Sequence, residues 1–152
     1  MMEHSPQFSA ALLPHVLAMD DVPAILDLLR EILEEDGYRV TTSLERLDPS
    51  QLRAVSPDAI LQEWHFTGTP TCYVRYVASV RDDPDLAHVP IILCTTWTRV
   101  VQDAALAEQL RQLHVRIVRK PFDIDDLLAI IAGALTASQD EFKGDLPLAG
   151  VP

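Results

Sequence analysis

Short apolar runs alternate with stretches of helical periodicity over residues 14–136. His15-Val16-Leu17-Ala18-Met19 is an apolar run that stops at Asp20-Asp21 and predicts a first strand. Ile25, Leu28, Leu29 and Ile32 then recur at i, i+3, i+4 and i+7, which predicts a helix with those four facing inward. Asp21 is the expected cap, Pro23 fits the first turn and Gly37 supplies the stop. Tyr38, Val40 and Thr42 alternate with Arg39, Thr41 and Ser43, a strand with one wetter face. Pro49 to Val55 holds at most two helical turns. Ala59-Ile60-Leu61 predicts a buried strand ending near Gln62-Glu63. A polar loop with Gly68 and Pro70 leads to a helix from about Cys72 to Arg81, ended by Asp82-Asp83-Pro84. Pro90 to Cys94 is the next strand, and Val101 to Leu113 a helix with Leu106, Leu110 and Leu113 inward. Val115 to Val118 is the last strand. Asp123 is placed to cap a final helix whose inner face is Ile124, Leu127, Leu128 and Ile131.

Five βα repeats without a hairpin signal imply a parallel sheet joined by right-handed crossovers. The predicted fold class is therefore α/β, a doubly wound sandwich. In such folds the functional crevice lies at the carboxyl ends of the strands. The residues just past those ends are Asp20 and Asp21, Glu63 with Trp64 and His65, Thr95 and Thr96, and Lys120 with Pro121.

Composition narrows the chemistry. The 152 residues hold 48% hydrophobic and 23% charged residues, the balance of one globular domain. Acidic residues outnumber basic ones 23 to 12, for a net charge of −11. A general basic field for nucleic acid or an anionic membrane is absent. No window reaches the roughly 18 apolar residues of a membrane span, and the N-terminus lacks a basic signal-peptide start. Cys72 and Cys94 make no disulfide framework, so a reducing cytoplasmic setting is expected. Three carboxylates, two hydroxyls and one ammonium converge on one sheet edge. Clustered carboxylates raise one another's pKa unless a cation compensates. A hard ion such as Mg²⁺, satisfied by one or two carboxylates plus water, suits the set.

Four segments carry a resemblance: Val16-Leu17-Ala18-Met19-Asp20-Asp21, Pro57-Asp58-Ala59-Ile60-Leu61-Gln62-Glu63, Pro90-Ile91-Ile92-Leu93-Cys94-Thr95 and Val118-Arg119-Lys120-Pro121-Phe122. Together, in this order, they resemble the receiver domain of bacterial two-component response regulators. The resemblance implies the flavodoxin-like (βα)5 fold with strand order 2-1-3-4-5. It implies a receiver-like domain over 14–136, after an N-terminal extension over 1–13. Ser138, Asp140, Glu141, Gly144, Asp145, two prolines and Gly150 make 137–152 an expected flexible tail or the start of a linker, with no output domain expected in these residues. It places Asp20 and Asp21 on the Mg²⁺-binding acidic pair and Glu63 on the phosphoacceptor position. His65 would lend the metal a backbone carbonyl. Thr95 falls on the hydroxyl that contacts the phosphoryl group, with Thr96 beside it. Lys120 falls on the lysine that pairs with acceptor and phosphate, and Pro121 would follow a cis bond.

The departures cluster at the phosphorylation machinery. The acceptor position holds Glu63 in place of Asp. The extra methylene moves the carboxylate by about 1.5 Å, and a misplacement of about 1 Å can cost on the order of a hundredfold in phosphoryl transfer. Ile117 stands where the family carries its switch aromatic, Thr67 where it carries Pro, and Thr96 where it carries Ala. Trp64 and Trp97 sit in the loops flanking the proposed site. The expectation is a pseudo-receiver that acts by protein–protein contact, with phosphorylation impaired or absent and no enzymatic activity. Its partner would be a histidine kinase or an output protein, and a homodimer would use the fourth helix, fifth strand and fifth helix. Glu63 also admits a purely structural ion pair with Lys120. A conventional phosphorelay receiver and an Mg²⁺-dependent phosphoryl-transfer enzyme are the alternatives.

Overall fold

The computed structural model describes residues 13–63, 70–95 and 103–150, with residues 70 and 139–150 given by their backbone path alone. Among the described residues five strands alternate with five helices. They are β1 (His15–Met19), α1 (Pro23–Glu35), β2 (Arg39–Ser43), α2 (Pro49–Val55), β3 (Ala59–Glu63), α3 (Pro70–Arg81), β4 (Ile91–Thr95), α4 (Ala104–Gln112), β5 (Val115–Arg119) and α5 (Ile124–Gly150). Every strand pair is parallel, and the sheet order is β2-β1-β3-β4-β5. This is the doubly wound (βα)5 arrangement that the sequence pattern predicts, with the order 2-1-3-4-5 that the family resemblance implies.

Strand side chains alternate between the two faces, so each strand feeds two cores. Leu17, Met19, Ile60, Ile91 and Leu93 pack with Leu52 of α2, Tyr73, Val77 and Val80 of α3, and Leu106 and Leu110 of α4. On the other face Val16, Leu61, Ile92, Cys94 and Val118 pack with Leu33 of α1 and Leu127, Ile131 and Ala134 of α5. All five residues of β1, β3 and β4 are buried, as a strand covered on both sides requires. Each fully buried Leu, Ile or Val contributes about 1.5–3 kcal/mol. The sheet is thus a rigid floor for whatever sits at its edges.

Local chemistry sets the element ends. Gly37 adopts φ +97, and the Tyr38 N–H returns to the Leu33 carbonyl, closing α1. Asp48 and Gln51 form a reciprocal capping box that starts α2. Asp103 Oδ1 accepts from the Leu106 N–H at the start of α4.

Four expectations change. The cap of α1 is Val22, not Asp21: Asp20 Oδ1 takes the Val22 N–H at 2.8 Å, and the helix starts one residue later with Pro23. The inward face of α1 is Leu26 and Leu33, with Leu28 50% exposed. On α5, Leu127 and Ile131 are buried while Ile124 is 49% exposed. The backbone of α5 also continues helically through Gly150, across the stretch where a tail is predicted. Ala137, Gln139, Glu141 and Lys143 are good helix formers and favour helix over the first part of that stretch.

Candidate functional site

The strand registers bring distant residues into one row. Met19 pairs with Gln62, Glu63 with Cys94, and Thr95 with Arg119. Asp20, Glu63, Thr95 and Lys120 therefore stand side by side at the carboxyl edge. The Lys120 N–H donates to the Thr95 carbonyl at 2.9 Å, which fixes the start of the loop after β5. The Lys120–Pro121 peptide bond is cis.

Asp20, Glu63 and Thr95 are all buried, with Thr95 fully enclosed. A carboxylate in that setting needs a compensating charge. The Lys120 ammonium supplies it as an ion pair with Glu63 Oε1. The Glu63 side chain is 4% exposed and that of Lys120 25%, so the pair is shielded on the acid side and reachable on the amine side. Asp20 is oriented by the Val22 N–H. Asp21 is exposed.

Two cavities meet at this row. One of about 220 Å³ is lined by Asp20, Asp21, Glu45, Arg46, Gln62 and Glu63. It gathers the three carboxylates that the sequence singles out. The other, about 200 Å³, lies between α1 and α5, with Ile25, Leu28, Leu29, Ile32, Phe122 and Ile124 as walls and Glu63 and Lys120 beside them. Among the described residues no three His, Cys, Asp or Glu side chains converge as a ready-made metal cage. Mg²⁺ does not require one, since it keeps several waters and takes one or two carboxylates. Asp20 and Asp21 offer that donor set, with Glu63 engaged by Lys120.

Arg46 is a site residue that the sequence reading misses. It lines the acidic cavity, and its guanidinium lies 4.5 Å from the centre of the Tyr76 ring. Tyr76 donates its hydroxyl to the Leu47 carbonyl at 2.6 Å, and burial pushes its phenol up to about 12. The carboxyl-edge rule, extended to the loop after β2, would have reached Arg46. Behind the row, burial first and the Glu63 charge second push the Cys94 thiol up to about 12. Ile117 is partly buried, opposite Leu93 on the α2–α4 side of the sheet. His65, Thr96, Trp64, Trp97 and Thr67 lie outside the described residues.

No protein-family model matches the chain. It is 27% identical over 140 residues to the phosphate regulon transcriptional regulatory protein PhoB of Rhizobium meliloti (strain 1021), covering 89% of this chain. The chain spans 58% of that relative's length. Among solved structures it is similar to a CheY-like response regulator receiver domain protein from Methanospirillum hungatei JF-1. That match has a TM-score of 0.66 and 19% identity, covering 85% of this chain and 98% of that one. It is also similar to a structure of adenylate cyclase from Rhodopirellula baltica, with a TM-score of 0.71 and 17% identity over 91% of this chain and 99% of that one. Strand order, helix placement and these likenesses together give the chain the (βα)5 fold of a CheY-like receiver domain.

Proposed function

We propose that the chain is a receiver-like signalling module that works through protein–protein contacts and whose phosphorylation is impaired by Glu63. The observation that carries this reading is the buried Glu63–Lys120 ion pair at the carboxyl edge. In a receiver the lysine answers to the acceptor and its phosphoryl group. Here a carboxylate one methylene longer than aspartate already occupies it, which supports an active-like shape held without phosphate. In this reading Asp20 and Asp21 would hold Mg²⁺, which when bound would neutralise charge on an incoming phosphoryl oxygen. Thr95 would offer its hydroxyl to the same oxygen, and Thr96 and the His65 carbonyl would complete the site. Contacts would run through α4, β5 and α5, to a second copy, a histidine kinase or an output protein. A cytoplasmic setting belongs to the same reading. Among the described residues no helix is long and apolar enough to cross a membrane.

The test is intact mass after incubation with Mg²⁺ and acetyl phosphate. The native chain is expected to stay unmodified, and Glu63→Asp is expected to gain one phosphoryl group. A stable phospho-adduct on the native chain would overturn the proposal.

A further inference from the structure

A concentration of positive charge lies at the opposite edge of the sheet. A cavity of about 330 Å³ opens at the amino ends of β4 and β5, and its walls include Arg81, His88, Arg111, His114, Arg116 and Ser138. Among the described residues no Asp or Glu lines it. In a chain with 12 Lys and Arg against 23 Asp and Glu, three of the basic residues and two of the five His meet at this one hollow.

Its cationic residues divide by what already engages them. Arg81 is a structural member. Its guanidinium donates to the carbonyls of Leu113 (2.7 Å) and Val89 (2.6 Å), and also to those of Leu86, Ala87 and His114. It ties the loop before β4 to the turn before β5 and so holds the hollow open. Arg111 pairs with Glu108 one turn back on an exposed surface, where such a pair is weak and readily exchanged. Arg116 is exposed on β5, and its side chain makes no hydrogen bond or ion pair among the described residues. His114 holds a left-handed backbone at φ 61, a conformation that costs a residue with a side chain and that Gly would adopt freely.

Helix dipoles explain part of this charge. The carboxyl ends of α3 and α4 point to this edge, and a cation in each last turn offsets their partial negative charge. That accounts for Arg81 and Arg111. It does not account for Arg116, which lies on a strand, or for His88 and His114, which lie outside the helices. The hollow is concave and at the small end of the volume range of ligand pockets. Guanidinium forks match phosphate oxygens, and the flanking Ala87, Pro90, Val115 and Ala134 offer small apolar surface.

We infer that this hollow is a binding site for a small molecule bearing a phosphate group, with Arg116 and Arg111 as the phosphate ligands. It is separate from the carboxylate row, because β5 starts at Val115, beside Arg116, at one edge and ends at Arg119, just before Lys120, at the other. Titration of the ¹⁵N-labelled full chain with inorganic phosphate and with AMP, at low and constant ionic strength, tests it. Saturable shifts are expected at His88, His114 and Arg116, and Arg116→Ala is expected to weaken binding about tenfold. Circular dichroism of that variant shows that it is folded, and Arg111→Ala serves as the second variant. Equal affinity for phosphate and AMP would assign the whole interaction to the phosphate group; tighter AMP would add the apolar wall. Shifts confined to Thr95 and Lys120, an equal response to chloride, or unchanged affinity in both variants would overturn the proposal.

Discussion

Glu63 and Lys120 show what a single side chain decides. The carboxylate is almost wholly enclosed, so its charge is tolerated because the ammonium stands against it. Removing one partner of such a pair costs about 3–5 kcal/mol, whereas removing both is often close to neutral. Lys120→Met is therefore expected to lower unfolding stability by about 3 kcal/mol at neutral pH. The double variant with Glu63→Gln is expected to recover most of that loss, and urea denaturation of the four chains reads the coupling. Cys94 gives a second residue-scale expectation. With its thiol pushed up to about 12 and its surface buried, it should resist a thiol reagent at pH 8, while exposed Cys72 reacts at once. Counting modified thiols before and after unfolding checks this, and two fast equivalents in the native chain would contradict it. The row of Asp20, Glu63, Thr95 and Lys120 was legible because it needs only strand ends. Arg46 was missed because the strand-end rule was not carried to the loop after β2, and its place against the Tyr76 ring is a long-range contact that spacing does not show.

At the scale of elements, periodicity located the helices but did not choose their faces. Ile25, Leu26, Leu28, Leu29, Ile32 and Leu33 form two overlapping stripes on α1. The sheet buries Leu26 and Leu33, and the other stripe borders the groove toward α5. That choice depends on how the helix lies over β1 and β2, a long-range fact. The Asp48–Gln51 capping box, in contrast, was written in the local sequence at the expected spacing. Arg81 is the element-scale residue with the largest expected effect. It closes three segments onto one another through five backbone carbonyls, several of them in the loop before β4. Arg81→Met is expected to cost about 3 kcal/mol. Arg81→Lys is expected to recover only part of it, because one ammonium cannot reproduce the planar fork. Thermal and urea unfolding of both variants measures the difference, and equal stability of Lys and Arg at this position would refute the role.

At the scale of the whole molecule, the alternation of apolar runs with helical periods was enough for the sheet and its two layers. One buried group ties the far edge of that sheet to solvent pH. His15 opens β1 at 9% exposure, with its ring Nε2 2.7 Å from Thr41 Oγ1 of β2. Its backbone N–H donates to Asp58 Oδ2 at 2.8 Å, just before β3. Burial, and then the nearby Arg39 charge, hold the imidazole below its ordinary pKa of 6.5. The native state therefore stays neutral where the unfolded chain already takes a proton. Stability must then fall as pH drops from about 6.5 toward the depressed native value, and be level above that window. Urea midpoints measured from pH 8 to 5 are expected to show this slope, at fixed ionic strength because the net charge is −11. His15→Gln keeps a polar group for Thr41 and cannot titrate, so the part of the slope between pH 6.5 and the native value should vanish. A slope of the same size in that variant would place the proton uptake elsewhere in the molecule.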